Sequence, residues 1–265
     1  FTITFSQQDR FKRVSLINKL WMPMIKKILR ENDYLRYSFI RKGKYMARIH
    51  DYRIEADFKY HTDQEQERDV TREVRKVLAG IVSETDSAEK KVTAIYNWIR
   101  DNVAYESAMD DKCADDKCTA YGAIVNRKAN CMGYAALAHR MLNRAGVENR
   151  IVFGMIAGSP ATPHAWNLVQ LCGNYFHLDT ASARNNRGNP NSSFLFLSDL
   201  DLLRKNVVWL TDYDPSVLDT VLTTPESRKQ FKHYMEWLSV RDKLELGGPG
   251  KMPGAAARYQ AGTCP

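Results

Sequence analysis

Two stretches of the sequence decide the fold, NCMGYAALAHRMLNRAG at residues 130–146 and PHAWNLVQLCGNYFHLDTA at residues 163–181. The first predicts a helix that begins at Cys131, since its many alanines suit close packing and Gly146 supplies a C-terminal stop. A thiol in the first turn of a helix faces free N–H groups, which favour the nucleophilic thiolate. Cysteine is also a common buried structural residue, so this position alone does not establish a catalytic role.

The second stretch predicts a β-hairpin in which a histidine meets an aspartate. With Cys172-Gly173 at the centre of the turn, Trp166 faces Asp179. His164 is then the diagonal neighbour of Asp179 on the same face of the sheet. A turn centred on Gly173-Asn174 keeps the shared face but lengthens the diagonal. In either register the carboxylate can fix the tautomer of the imidazole and stabilise its cation, while the other ring nitrogen faces the thiol.

The pattern therefore indicates a cysteine-nucleophile site. Cys131 is the candidate nucleophile, His164 the base and Asp179 the residue that orients the base. Trp166 is expected to pack over the His–Asp pair and keep water away from it. His177 shares the face of Asp179, so it either lines the substrate cleft or has a structural role.

The same region resembles a known family. TAYGAIVNRKANCMGYAALAHRMLNRAGVENRIVFG (residues 119–154) and the hairpin are similar to the core of the transglutaminase-like superfamily, which has the papain-like cysteine protease fold. That family shows a Cys-x-Gly-Tyr-Ala helix start, a His-Ala-Trp-Asn strand and an Asp at the end of the next strand. Cys131–Ala135, His164–Asn167 and Asp179 match these motifs. The likeness covers roughly residues 60–210.

The resemblance implies an α+β fold of the papain-like, transglutaminase-like kind. A helical half would supply Cys131 at the start of a buried helix, packed on an antiparallel β-sheet. The expected organisation is an N-terminal appendage of a helix plus a β-hairpin (residues 1–62), a catalytic domain (63–246) and an irregular C-terminal tail (247–265).

The activity implied by the resemblance is acyl transfer from an amide of a protein or peptide through a thioester, most simply by a peptidase or amidase. Three alternatives stay open: a crosslinking protein-glutamine gamma-glutamyltransferase, a peptide N-glycanase-like amidase, and a binding or scaffold module that keeps the fold without turnover. Bacterial-type relatives of this size resemble hydrolases more than crosslinking enzymes, and no acidic calcium loop is apparent, so hydrolysis is favoured.

The resemblance also bears on the oxyanion donors and on the residues around the cysteine. The oxyanion of an acyl-transfer intermediate needs two donors, and the Cys131 N–H is one. Tyr121 resembles a recurrent tyrosine of related bacterial proteins and is the candidate for the second, although a core aromatic on a short helix explains it equally well. Ala129-Asn130 and Met132 depart from the residues that the family often places around its cysteine, which affects substrate contacts and leaves the nucleophile intact.

The composition is that of an ordinary globular protein, with 44% hydrophobic and 26% charged residues in a chain of 265 and a net charge of +8. The basic residues are scattered, without a zinc-finger spacing or a basic motif interleaved with aromatics, so no nucleic-acid partner is expected. No run of about 18 apolar residues occurs, so no membrane span is expected. No cofactor or metal is predicted, and the oligomeric state is left open.

Five cysteines bear on the compartment: Cys113, Cys118, Cys131, Cys172 and Cys264. Cys113 and Cys118 are close enough for a small-loop disulfide, and a metal site is less favoured because no second close pair accompanies them. Cys172 with Cys264 would be a second bridge, which leaves Cys131 as the free thiol. This usage favours an extracytoplasmic location, secreted or at a bacterial cell surface.

Periodicity predicts the remaining elements. A helical stripe, interrupted by Pro23, runs through residues 6–30, and alternation over Tyr34–Thr62 predicts a hairpin with a turn at Lys42-Gly43 and a third strand. Helices are also predicted at residues 63–83, after the cap at residues 85–87, at residues 119–125 and at residues 225–239. Strands are predicted at residues 149–157, 163–171 and 174–181.

Overall fold

A computed structural model of the chain describes residues 2–4, 22–38, 46–49, 53–57, 59–106, 116–156, 162–185, 193–205 and 207–209. The chain divides into two compact units, Phe1–His61 and Thr62–Pro265. The predicted turn at Lys42-Gly43, the helix at residues 225–239 and the tail at residues 247–265 lie outside the described residues.

The first unit combines two helices with a small antiparallel sheet. Its elements are β1 (Thr2–Thr4), α1 (Met22–Glu31), α2 (Asp33–Ser38), β2 (Met46–Ile49) and β3 (Arg53–Asp57), and the strand order is β1-β3-β2. The strand predicted from Tyr34 is wrong, because this segment belongs to α2. Asn32 explains the difference, since its side chain accepts a hydrogen bond from the Leu35 N–H and caps the helix.

The second unit opens with two capped helices. They are α3 (Gln64–Ile81) and α4 (Ala88–Asn102). Asp63 and Gln66 form a capping box at the start of α3, and Ser87 caps α4, as the sequence predicts. Val70, Val74 and Leu78 form the buried stripe of α3. Both predicted helices are therefore confirmed to within two or three residues.

A third helix and a small parallel sheet lead to the central helix. A 3₁₀ turn (Asp116–Cys118) is followed by α5 (Ala120–Ile124), and β4 (Ala104–Tyr105) pairs in parallel with β5 (Lys128–Ala129). The central helix, α6 (Cys131–Arg144), buries nine of its residues. The predicted helix start at Cys131 is confirmed.

The main sheet has five strands in the order β10-β6-β7-β8-β9, and every neighbouring pair is antiparallel. Its strands are β6 (Asn149–Ile156), β7 (Thr162–Leu171), β8 (Asn174–Leu178), β9 (Leu195–Leu197) and β10 (Val207–Trp209). The α6 helix packs on this sheet, and the Asn167 side chain on β7 donates to the Ala135 carbonyl on α6 at 3.0 Å. The fold is α+β with the cysteine helix against an antiparallel sheet, as predicted.

The hairpin of β7 and β8 has the first of the two predicted registers, with the turn centred on Cys172-Gly173. Leu171 is opposite Asn174, and the two turn residues both have positive φ, 50° at Cys172 and 77° at Gly173. Positive φ at both central positions is the geometry of a type I′ turn, which matches the twist of the two strands.

The predicted extension of β8 to Ala181 is wrong. The strand ends at Leu178, and α7 (Thr180–Asn185) begins two residues later, followed after β9 by α8 (Asp199–Arg204). Asp179 explains the change, because its Oδ1 accepts from the Ser182 N–H at 2.9 Å and so caps α7. Asp179, which the sequence predicts within a strand, therefore follows the strand and caps a helix.

Candidate active site

The cysteine of the site is the first residue of α6. Asn130 precedes it as the N-cap, and its Oδ1 accepts from the Met132 and Gly133 N–H groups at 3.0 and 3.2 Å. Cys131 is partly exposed and its thiol is free. Its own N–H lies at the first helical position, where no intrahelical acceptor exists, so it is available to a ligand.

The segment before the cysteine is held by several neighbours. The Asn130 N–H donates to the Lys117 carbonyl at 3.0 Å, and the Asn130 side-chain amide donates to the Cys118 sulfur at 3.0 Å. Gly133 lies so close to this segment that an added Cβ would meet the carbonyl oxygens of Lys117 and Thr119. Glycine at this position is what allows the start of α6 to pack against the loop.

The hairpin supplies the candidate base and its partner. His164 Nε2 lies 2.7 Å from Asp179 Oδ2, and the two residues are 4% and 0% exposed. The Ser182 hydroxyl lies 3.3 Å from the same nitrogen. Since Nε2 is engaged with Asp179, the remaining ring nitrogen, Nδ1, is the one available to Cys131. This is the division of roles that a thiol–imidazole–carboxylate site requires.

The electrostatics of the pair favour the imidazolium. Burial alone would lower the pKa of His164, but the charge and hydrogen bond of Asp179, aided by the Cys131 sulfur, raise it to about 10. Burial opposes ionisation of Asp179, yet the charge and hydrogen bond of His164 and the bonds from Ser182 lower the pKa of this carboxyl. A charged imidazole beside a sulfur is the arrangement that activates a nucleophilic cysteine.

Trp166 packs against His164, whereas His177 lies behind Trp166 in the core. Trp166 is 1% exposed and stacks on the His164 ring, with the centroids 5.6 Å apart and an angle of 23° between the planes. Its indole N–H donates to His177 Nδ1 at 3.0 Å. His177 is 0% exposed, so its side chain lies in the core behind Trp166 and not on a cleft surface. Its second nitrogen lies 2.8 Å from Asp199 Oδ1.

Two tyrosines flank the start of α6. Tyr121, the predicted oxyanion donor, lies on α5 and is partly exposed. Tyr105 lies on β4 opposite Ala129, and its ring centroid is 6.0 Å from that of Tyr134. Burial, together with the negative charges of Cys131 and Asp179, raises the pKa of Tyr105 to about 12. The structure thus brings Tyr105 to the cysteine, a placement that no spacing in the sequence indicates.

The two cysteines that lie outside the site and within the described residues are oxidised. Cys118 and Cys172 are disulfide-bonded. Cys113 and Cys264, which the sequence suggests as their partners, lie outside the described residues. Cys131 is consequently the free thiol of the described part of the chain.

The described residues contain neither a metal-binding cluster nor a membrane-spanning helix. Within those ranges, no three His, Cys, Asp or Glu side chains are grouped so that they could hold a metal ion. None of the helices described is long and apolar enough to cross a membrane.

The comparison with protein families agrees with this geometry. Residues 75–180 match the model of the transglutaminase-like superfamily, and the match includes Cys131, His164 and Asp179. This part of the chain is a transglutaminase-like domain. The family predicted from the motifs is therefore confirmed.

Individual proteins similar to this transglutaminase-like domain include human kyphoscoliosis peptidase. The two are 26% identical over 170 residues, which are 60% of this chain and 26% of the human protein. The chain thus spans about a quarter of the length of that relative. Among solved structures, a TGase is 16% identical, with a TM-score of 0.37 and coverage of 73% of this chain and 50% of that one. Legionella pneumophila LapG is 11% identical, with a TM-score of 0.38 and coverage of 65% and 91%.

Proposed function

We propose that this protein is a cysteine-nucleophile acyl-transfer enzyme that hydrolyses amide bonds of a protein or peptide through a thioester on Cys131. The observation that carries the proposal is the arrangement of a free, partly exposed thiol at a helix start beside a buried His164–Asp179 pair with a 2.7 Å contact. Each member supplies what the reaction needs: a nucleophile, a proton carrier and a carboxylate that holds the carrier in one tautomer.

The first half of the reaction is acylation. The Cys131 thiolate attacks the carbonyl carbon of the amide, and the Cys131 N–H donates a hydrogen bond to the oxyanion that forms. The His164 imidazolium gives its proton to the leaving nitrogen as the C–N bond breaks. The products of this step are a free amine, a thioester and a neutral His164 that still contacts Asp179.

The second half is deacylation. Neutral His164 removes a proton from water as the water oxygen attacks the thioester carbon. The C–S bond then breaks, the acid is released, and the thiolate and imidazolium are restored. If an amine took the place of water, the same steps would produce a new amide, so the acceptor distinguishes a hydrolase from a crosslinking enzyme.

Two considerations favour water as the acceptor. The human relative that is similar over 170 residues is called a peptidase. The motif resemblance also lies with bacterial-type proteins that look like hydrolases. These considerations support hydrolysis, and an experiment that offers both acceptors at once decides between them.

The test is incubation of the protein with a glutamine-containing protein and a labelled primary amine, with Cys131→Ala as the matched control. The proposal expects peptide products in mass spectrometry, no incorporated amine, and neither product with Cys131→Ala. Incorporation of the amine that depends on Cys131 would overturn hydrolysis in favour of crosslinking. Absence of both products, combined with slow alkylation of Cys131, would favour a scaffold module.

We also propose an extracytoplasmic location, secreted or at a cell surface. The support is the disulfide-bonded state of Cys118 and Cys172, because disulfides persist in oxidising compartments. Thiol counting on protein isolated from its native source under acid quench tests this. One reactive thiol per chain before reduction is the expected result, and five would overturn the proposal.

A further inference from the structure

A second histidine–carboxylate pair lies behind the catalytic one. Trp166 stands between two imidazoles, stacked on His164 and tilted by 55° against His177, with ring centroids 5.6 and 6.1 Å away. The indole N–H donates to His177 Nδ1 at 3.0 Å, and His177 Nε2 lies 2.8 Å from Asp199 Oδ1. A continuous chain of contacts therefore links Asp199 on α8 to the ring that covers His164 on β7.

The contacts fix the protonation of His177. An indole N–H can only donate, so Nδ1 must be the acceptor and the proton must be on Nε2, where it is donated to Asp199. Burial lowers the pKa of His177 although the charges of Asp199 and Asp179 oppose this. The ring is neutral at pH 7 as a result, which is the state in which Nδ1 can accept.

Asp199 connects this series of contacts to the start of a helix. Asp199 is the first residue of α8, and the Ser198 side chain caps this helix through Asp201. The His177 ring is thus held from β8 on one side and from α8 on the other. Trp166 is 1% exposed and has its one polar group satisfied by this ring, so its orientation depends on it.

We propose that His177 and Asp199 are positioning residues for His164, which act by holding the Trp166 ring against the imidazole so that water stays away from the His164–Asp179 pair. This inference rests on the proposed function, in which that pair serves the Cys131 thiolate. The charged groups that face His164 are Asp179 and Cys131, and those that face His177 are Asp199 and Asp179.

The physical reason is the behaviour of an unpaired buried donor. Without Nδ1 of His177, the indole N–H would be buried without an acceptor, which is unfavourable because a buried donor loses its hydrogen bond to water. The ring would turn towards another acceptor or towards water and leave the face of His164. Water beside the pair would raise the local dielectric and weaken the attraction between Asp179 and the imidazolium. An imidazolium that is itself less stable stabilises the neighbouring thiolate less.

The experiment measures the rate of iodoacetamide alkylation of Cys131 against pH in the full chain. His177→Phe keeps an aromatic ring and removes the acceptor. We expect the midpoint of the acid limb of the pH–rate profile to move up by about one pH unit, which makes alkylation about tenfold slower at pH values below both midpoints. Asp199→Asn retains an acceptor for Nε2 and should stay near the wild-type midpoint, whereas Asp199→Leu should move it in the direction of His177→Phe.

The chain offers a matched control in another buried histidine. His139 on α6 is 7% exposed and lies 2.7 Å from Asn149 Oδ1, with Asn143 on its other nitrogen. His139→Phe should lower the melting temperature as His177→Phe does, without moving the alkylation midpoint. Equal shifts of the midpoint in both variants would show that general loss of stability is the cause and would overturn the inference.

A double-mutant cycle tests whether His177 acts through Trp166. Trp166→Phe retains the stacked ring but has no N–H, so His177→Phe should produce no additional shift in that background. Additive shifts would overturn the inference. In the wild type, the Trp166 indole N–H resonance should exchange slowly with solvent, and His177→Phe should move it and accelerate its exchange.

The outcomes separate this inference from the proposed activity. A wild-type midpoint near that of an ordinary thiol, about pH 8.5, would contradict the proposed activity, and the indole resonance would then decide the placement of Trp166 by itself. A low wild-type midpoint that is unchanged in His177→Phe would contradict the positioning role and leave the activity standing.

Discussion

His164 Nε2 lies 2.7 Å from Asp179 Oδ2, and this contact determines which ring nitrogen remains for Cys131. The carboxylate sits at the N-cap of α7, where its other oxygen accepts from the Ser182 N–H. Both oxygens of Asp179 are therefore engaged, one by the backbone and one by the imidazole. The carboxylate cannot rotate away from His164 without losing the cap, so the helix start stabilises the tautomer.

Replacement of Asp179 by Asn should reduce kcat/KM by about three to four orders of magnitude, since loss of the carboxylate in a comparable relay has an effect of about 10⁴. The amide can present an N–H to Nε2 and so favour the wrong tautomer. The measurement is peptide hydrolysis, with circular dichroism to verify folding. Asp86→Asn, which removes a carboxylate that pairs with Lys90 outside the candidate site, is the control and should stay within about twofold of wild type. A small loss with Asp179→Asn would contradict the assigned role of the carboxylate.

Cys131 should be the thiol that iodoacetamide labels first at pH 6. His164 remains protonated at this pH. An imidazolium beside a sulfur makes that sulfur more reactive towards alkylation. Cys118 and Cys172 are disulfide-bonded and should not react before reduction. Peptide mapping by mass spectrometry gives the labelled position, and His164→Gln is the control that should slow labelling about tenfold or more. Labelling that is equally fast with and without His164 would show an unactivated thiol.

Gly133→Ala should destabilise the protein and slow the alkylation of Cys131. The added Cβ would lie 2.8 Å from the Ala129 Cβ and 2.9 Å from the Thr119 carbonyl oxygen, so the start of α6 or the preceding loop must move. The expected loss is about 1–3 kcal/mol in the free energy of unfolding. Gly80→Ala in α3 is the matched control, because nothing lies within 4 Å of its added Cβ. That change should stabilise the protein by about 0.5–1 kcal/mol.

Stability should depend on pH through His164. Its pKa is raised from 6.5 to about 10 on folding, so the folded protein holds more protons than the unfolded chain between these values. The free energy of unfolding must then fall as the pH rises through this window, by at most about 1.4 kcal/mol per pH unit for one proton. A Cys131→Ser background removes the titration of the thiol, and the upper end of the window then lies somewhat below pH 10.

The measurement is urea unfolding of Cys131→Ser and of Cys131→Ser/His164→Gln at several pH values between 6 and 10. Groups other than His164 titrate in both proteins, so the difference between their unfolding free energies isolates the histidine. This difference should favour Cys131→Ser below pH 6.5 and shrink as the pH rises. A difference that stays constant over the whole range would contradict the raised pKa.

The parts of the site that the sequence predicts are those that local rules determine. The hairpin register follows from the period of two along a strand and from a two-residue turn, which Cys172 and Gly173 satisfy with positive φ. The helix start at Cys131 follows from the Asn130 cap and the run of small residues behind it. These features depend on neighbours within a few positions in the sequence.

The parts that the sequence does not predict depend on tertiary packing. Asp199 reaches His177 across 22 residues, and Tyr105 reaches the start of α6 through the parallel pairing of two strands of two residues each. Ser182 joins the His164 contact only because α7 begins directly after Asp179. The sequence does not predict the α2 helix, because the alternating pattern over these few residues is also compatible with a strand. The Asn32 cap favours the helix over the strand.

The second oxyanion donor should be identified by comparing Tyr105→Phe with Tyr121→Phe. Tyr105 is next to the residues that lead into Cys131, whereas Tyr121 is the candidate from the motif resemblance. Loss of the true donor should lower kcat by about 10²–10³-fold with little change in KM, because the hydrogen bond forms only in the transition state. The other variant should change kcat by less than about threefold. We expect the large effect with Tyr105→Phe, since the negative charges of Cys131 and Asp179 already act on its hydroxyl. A large effect with Tyr121→Phe alone would assign the donor to α5 and contradict the choice of Tyr105.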